Sequence, residues 1–134
     1  MKKKILTLLT FLVLLGAISA SAFCDGATVF RGGQQFTINQ NYYSPNHQYR
    51  LIQQSDGNLV LYGRGRALWA SGTYGLAVKD SVFQGDGNIV IYGYDKAIWA
   101  SHTDGNPGAT LELQDDGNLV IYLGRKAIWA TNTY

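Results

Sequence analysis

Nine residues written three times constrain this chain more than any other feature. Gln54-Ser55-Asp56-Gly57-Asn58-Leu59-Val60-Leu61-Tyr62 recurs as Gln84-Gly85-Asp86-Gly87-Asn88-Ile89-Val90-Ile91-Tyr92, and again as Gln114-Asp115-Asp116-Gly117-Asn118-Leu119-Val120-Ile121-Tyr122. Each copy begins 30 residues after the last, and Trp69, Trp99 and Trp129 follow at one fixed offset. A period of this size is the mark of one supersecondary unit used repeatedly, each copy burying its apolar face against the others.

Within a copy the apolar residues alternate with period two, which is strand periodicity. Leu59 and Leu61 fall on one face, with Ile89/Ile91 and Leu119/Ile121 as their equivalents, and these pairs belong in a core. Asn58, Val60 and Tyr62 fall on the other face, an odd mixture for plain solvent exposure. The Asp-Gly before each strand marks a hairpin. A two-residue turn would pair Gln54 with Leu59 and aim it at the core. A three-residue loop with Gly57 at positive φ pairs Gln54 with Asn58 and gathers Gln54, Asp56, Asn58, Val60 and Tyr62 on one surface. The second arrangement is the expected one.

A further strand follows each copy, as Ala67–Ala70, Ala97–Ala100 and Ala127–Ala130. Small residues on either side of each indole suggest that the three tryptophans meet near a pseudo-threefold axis, as packing residues rather than an exposed stacking platform. Towards the N-terminus the repeat fades. Ala27–Phe30 and Gln35–Ile38 read as short strands around a Gly32-Gly33 turn, and Asn39 to Gln48 reads as loop. The third copy stops at Tyr134 just after its Trp strand, so the N-terminal strands are expected to complete that unit. No stretch carries a helical period with caps, and the fold class is all-β.

Residues 1–22 read as a secretory signal peptide: Lys2, Lys3 and Lys4, then an apolar run from Ile5 to Ile18, then Ala20-Ser21-Ala22 as the cleavage site. The run is short for a bilayer span and no second one follows, so no membrane span is expected. Residues 23–134 remain as one exported domain, secreted to the extracellular space or periplasm. Loss of the three lysines leaves eight basic against nine acidic residues, which removes the charge argument for nucleic acid. Cys24 is the only cysteine, so no intrachain disulfide forms. Its position near the new N-terminus raises a lipid anchor, but Phe23 stands where a small residue normally precedes a lipidated cysteine.

A sugar ring presents directional hydroxyls around an apolar patch of C–H groups. Asp56 supplies acceptors; Gln54, Asn58 and the Tyr62 hydroxyl each supply both donors and acceptors; Val60 supplies an apolar floor. Asp-Gly-Asn alone is a good turn and needs no function. The turn does not account for a glutamine at −2 and a tyrosine at +6 from the same aspartate.

The unbroken Q-x-D-x-N-x-V-x-Y spacing resembles that of the bulb-type mannose-binding lectins of monocot plants and their bacterial relatives. The chain looks like a bacterial-type, secreted, single-domain member. The resemblance covers roughly Arg50 to Thr133. It implies a β-prism II of three four-stranded antiparallel sheets with pseudo-threefold symmetry, sugar binding without metal or other cofactor, and homodimers that exchange C-terminal strands. It also implies the sites: Gln54, Asp56, Asn58, Val60 and Tyr62; Gln84, Asp86, Asn88, Val90 and Tyr92; Gln114, Asp116, Asn118, Val120 and Tyr122. In that family the aspartate and asparagine hold the axial 2-hydroxyl of mannose, the glutamine the 3-hydroxyl and the tyrosine the 4-hydroxyl, while the valine packs on the ring. The expected partners are mannose and mannose-rich glycans. The chain departs from the pattern in lacking the disulfide of many plant members, and in carrying Gln53 where the sister units have Phe83 and Leu113. The first unit should therefore pack less well.

Other functions fit poorly. A glycoside hydrolase needs two carboxylates about 5–10 Å apart across one bond, and each unit repeats a single aspartate. His47 and His102 have no acidic or cysteine companions, and the Asp-Gly-Asn spacing is not that of a calcium loop, so no metal is expected. A bacteriocin or defence toxin using the same lectin chemistry on mannose-containing surfaces is the alternative reading.

Overall fold

The computed structural model describes residues 26–134; the expected signal peptide and Cys24 lie outside the described residues. The N-terminal segment gives β1 (Ala27–Phe30), β2 (Gln34–Gln35) and β3 (Tyr42–Tyr43). The three repeats then give β4 (Tyr49–Gln53), β5 (Leu59–Gly63) and β6 (Arg66–Ala70); β7 (Asp80–Phe83), β8 (Ile89–Tyr92) and β9 (Ala97–Ala100); and β10 (Thr110–Gln114), β11 (Leu119–Leu123) and β12 (Lys126–Ala130). They form three four-stranded antiparallel sheets, ordered β3-β4-β5-β6, β2-β7-β8-β9 and β1-β10-β11-β12. This is the β-prism II arrangement.

Each repeat supplies three strands, and the N-terminal segment supplies the fourth to every sheet in turn. β1 pairs with β10, β2 with β7 and β3 with β4. The expectation that the N-terminus completes the third unit holds, and two corrections go with it. The second strand ends at Gln35 rather than Ile38, and Tyr42–Tyr43 is a strand inside the stretch read as loop. Both strands are two residues long and are defined by their partners, Phe83 and Val82 for one, Leu51 and Arg50 for the other.

The alternation places the core as expected. Leu59, Leu61, Ile89, Ile91, Leu119 and Ile121 are at most 1% exposed, and Leu51, Phe83, Leu111 and Leu113 fill the space between them. Two aromatic trios draw one ring from each sheet or its margin. Phe30, Phe36 and Tyr42 meet edge to face at centroid distances of 5.3–5.9 Å. Trp69, Trp99 and Trp129 meet at 5.7, 5.7 and 6.2 Å. The indoles meet at the threefold arrangement as expected, but they are half-buried against the edge of the core rather than enclosed by it.

Gln53 is fully buried among these residues, where its sisters are Phe83 and Leu113. Its Nε2 donates to the Gln54 carbonyl at 3.2 Å and its Oε1 has no partner. The weak point expected in the first unit is present. β12 pairs with β11 of its own chain, with Val120 opposite Ala130 and Ile121 opposite Trp129. No helix among the described residues is long and apolar enough to cross a membrane.

Candidate functional site

Each Asp-Gly-Asn turn takes the three-residue form. The Gln54 N–H donates to the Asn58 carbonyl at 2.8 Å and the Gly57 N–H to the Gln54 carbonyl at 3.1 Å, with the same two bonds at 84/88 and 114/118. Gly57 has φ +99°, and a Cβ there would lie 2.3 Å from the Leu76 carbonyl oxygen, so no other residue fits. The loop turns the glutamine onto the outward face, as the spacing required.

In the first unit this face is a connected network. Asp56 accepts the Asn58 amide N–H at 3.0 Å through Oδ1 and the Gln54 Nε2 at 2.8 Å through Oδ2. The Tyr62 hydroxyl donates to Gln54 Oε1 at 2.5 Å. Gln54 thus bridges the aspartate and the tyrosine, and both its amide ends are oriented before any ligand arrives. The second unit repeats this: Gln84 donates to both oxygens of Asp86 at 3.2 Å and accepts from the Tyr92 hydroxyl. Val60, Val90 and Val120 lie under these groups, only 2–4% exposed.

The third unit differs. Gln114 turns its Nε2 to the Tyr122 hydroxyl at 3.1 Å, with Glu112 two residues before it on the same strand. Glu112 stands opposite Val120, where the other units have Ile52 and Val82. Burial pushes its carboxyl above the usual value, opposed by the nearby Gln114 side chain and by the charge of Arg31. Asp116 still accepts the Asn118 N–H at 2.9 Å.

The asparagines have a second role that the spacing did not reveal. Asn58 Oδ1 accepts from the Ser71 hydroxyl and from the N–H groups of Gly72 and Thr73, at 3.1–3.2 Å. Asn88 does the same with Ser101 and Thr103, and Asn118 with Thr131, Asn132 and Thr133. Thr73 and Thr103 then donate to the Gly57 and Gly87 carbonyls, each at 2.6 Å. A [Ser/Thr]-x-Thr follows every Trp strand at the same period, and that was the available signal. With Oδ1 committed to the scaffold, the asparagine offers a ligand only its Nδ2 donors.

Each face therefore places amide donors beside a carboxylate with unused lone pairs, next to a tyrosine oxygen and over a valine. That set suits a hydroxyl that donates and accepts at once. Among the described residues no group of His, Cys, Asp or Glu could hold a metal ion. His47 and His102 are exposed, and His47 stacks on Tyr43 at 5.1 Å.

No protein-family model matches the chain, and no curated protein matches it. Solved structures do. A monomeric monocot mannose-binding lectin from Gastrodia elata is 39% identical with a TM-score of 0.69, over 81% of this chain and 98% of that one. The mannose-specific snowdrop (Galanthus nivalis) agglutinin, complexed with methyl α-D-mannoside, is 35% identical with a TM-score of 0.62, over 82% and 98%. The Polygonatum cyrtonema lectin, complexed with a monomannoside, is 34% identical with a TM-score of 0.62, over 81% and 97%.

Proposed function

The chain belongs to the family of monocot mannose-binding lectins, and on that footing we propose that its three repeated faces each bind one mannose unit without metal. The observation that carries this is the shared core of the three networks. In every unit a glycine-bent loop presents an aspartate whose Oδ1 fixes the next asparagine, and that asparagine's Nδ2 is left free beside the carboxylate. An axial 2-hydroxyl can donate to the aspartate and accept from the asparagine together. The equatorial hydroxyl of glucose meets that pair less well.

The chain acts as a carbohydrate-binding protein and not as an enzyme, like the lectins it matches. We further propose export, with residues 1–22 removed and 23–134 forming the secreted lectin; N-terminal sequencing of the exported protein should begin at Phe23. A dimer by strand exchange would keep the register of β11 with β12 and move it between two chains, doubling the mass seen by light scattering.

Calorimetric titration with methyl α-mannoside and methyl α-glucoside, each with and without EDTA, tests the sugar reading. Binding should favour the mannoside, with Kd on the order of 1 mM per site, and EDTA should not change it. Equal affinity for the two sugars, or dependence on a metal, would overturn it.

A further inference from the structure

The three faces are not equivalent, and the difference lies at the tyrosine end of the first. Arg50 on β4 stands opposite Tyr62 on β5, and its guanidinium lies 4.3 Å from the Tyr62 ring centre. Beyond it the β5–β6 hairpin turns through Arg64 and Gly65, both at positive φ, the two-residue turn that matches strand twist. Arg64 reaches the Tyr49 ring at 6.0 Å, and Arg66 starts the next strand. Together with Tyr43 and His47 these residues line an open pocket of about 380 Å³ that shares Tyr62 with the first face. No acidic residue is among its lining residues. The one carboxylate of this face, Asp56, lies at the other end of the network, with Gln54 between it and Tyr62.

The sister units lack this arrangement at the same positions. Where the first has Arg50, Arg64, Gly65 and Arg66, the second has Asp80, Tyr94, Asp95 and Lys96, and the third has Thr110, Gly124, Arg125 and Lys126. Two aspartates beside the second face repel the anions that three arginines beside the first attract. The whole-chain charge balance hides this, because opposite charges are segregated between units.

We propose that the first face is a compound site for a mannose bearing an oxyanion, with the sugar on Gln54, Asp56, Asn58 and Tyr62 and the anion in the pocket of Arg50, Arg64 and Arg66. This rests on the reading that each face holds one mannose. In a mannose whose 4-hydroxyl meets Tyr62, the substituent on C6 is the neighbour that points towards the arginines. Guanidinium groups pair with phosphate and carboxylate alike, in forked, charge-assisted hydrogen bonds.

Titration of the mature chain at low salt with methyl α-mannoside, mannose 6-phosphate, mannuronic acid and inorganic phosphate tests this. Methyl α-mannoside should fill three sites. At least one of the two acidic sugars should fill one site about tenfold more tightly than the neutral mannoside does. Which of them gains identifies the oxyanion as phosphate or carboxylate. The gain should vanish in the double variant Arg64→Asn/Arg66→Thr, whose neutral mannoside binding stays at three sites, and in the wild type at about 1 M salt. No gain for either acidic sugar, a gain that survives the double variant or high salt, or inorganic phosphate binding as tightly as the sugar phosphate would each overturn the proposal. Failure of methyl α-mannoside itself to bind would instead remove the lectin reading beneath it.

Discussion

Asn88 Oδ1 accepts the Thr103 amide N–H at 3.1 Å, joining the residue that leads into β8 to a loop 15 residues further along the chain. The Ser101 hydroxyl donates to the same oxygen. Asn88→Ala should therefore cost about 2–4 kcal/mol of stability as well as the site, because two buried donors lose their acceptor. Asn88→Asp keeps the oxygen and removes the Nδ2 donors. Its new carboxylate is repelled by Asp86, so it should melt between the wild type and the alanine variant while losing one mannoside site. A comparison of melting curves with titration stoichiometry for the two variants checks this; equal stability of both would refute the scaffold role.

Gln53 places an unpartnered amide oxygen in the core. Gln53→Leu should stabilise the protein by about 1–2 kcal/mol, since the Gln54 carbonyl that loses the Gln53 donor still accepts the Gly57 N–H. Urea unfolding of the two proteins measures the change. A destabilised variant would mean that the cavity shape, and not the orphan oxygen, governs this position.

Trp99 touches both other indoles. Trp99→Ala should cost about 3 kcal/mol, the low end for a large aromatic because the ring is half-exposed, and should leave the three faces able to bind. Trp69→Ala added to it should cost less than it does alone, since the pair contact is already gone. Denaturant unfolding of the single and double variants tests both statements.

Glu112 is held above its usual value of 4.5 by burial. The folded state thus binds the proton more tightly than the unfolded chain, so ionisation costs stability as pH rises through that region. Glu112→Gln should raise the melting temperature at neutral pH and match the wild type in acid below the usual carboxylate range. Parallel melting curves at all pH values would show that the carboxylate is not strained by its site.

Three weak sites on one rigid body should act through valency. Multivalent attachment can add ~10²–10⁴-fold without new contacts. One, two and three Asn→Asp changes at 58, 88 and 118 should lower free mannoside capacity by thirds, yet weaken retention on a mannan surface far more steeply. Retention that falls only in proportion to site number would refute this.

Much of this was readable from the chain, for identifiable reasons. Leu59 and Leu61 alternate with Val60 and Tyr62, so one strand declared both its core face and its outward face. Gly57 and the position of Gln54 together selected the loop. β2 was read with the wrong bounds and β3 was missed, because two-residue strands carry no period and exist through the partners they meet. The basic pocket was hidden for a related reason: Arg50 and Arg64 are 14 positions apart in sequence, and only the register of β4 with β5 brings them to one pocket. The Ser71-to-Thr73 latch was present at the right period but looked like ordinary turn residues.

The N-terminal segment, which lends one strand to each sheet, sets how this protein comes together in time. Thr28 and Leu113 are paired although 85 positions separate them, and the whole ring waits on that meeting. The repeats and the β3–β4 pair can form their local hairpins early, within microseconds, but the other two sheets lack their fourth strands until β2 finds β7 and β1 finds β10. Closing so long a loop is slow, and high contact order of this kind belongs to the millisecond-to-second range. Until then two sheet edges stand open together, so the interval before closure is when one copy of this chain is most able to capture a strand from another.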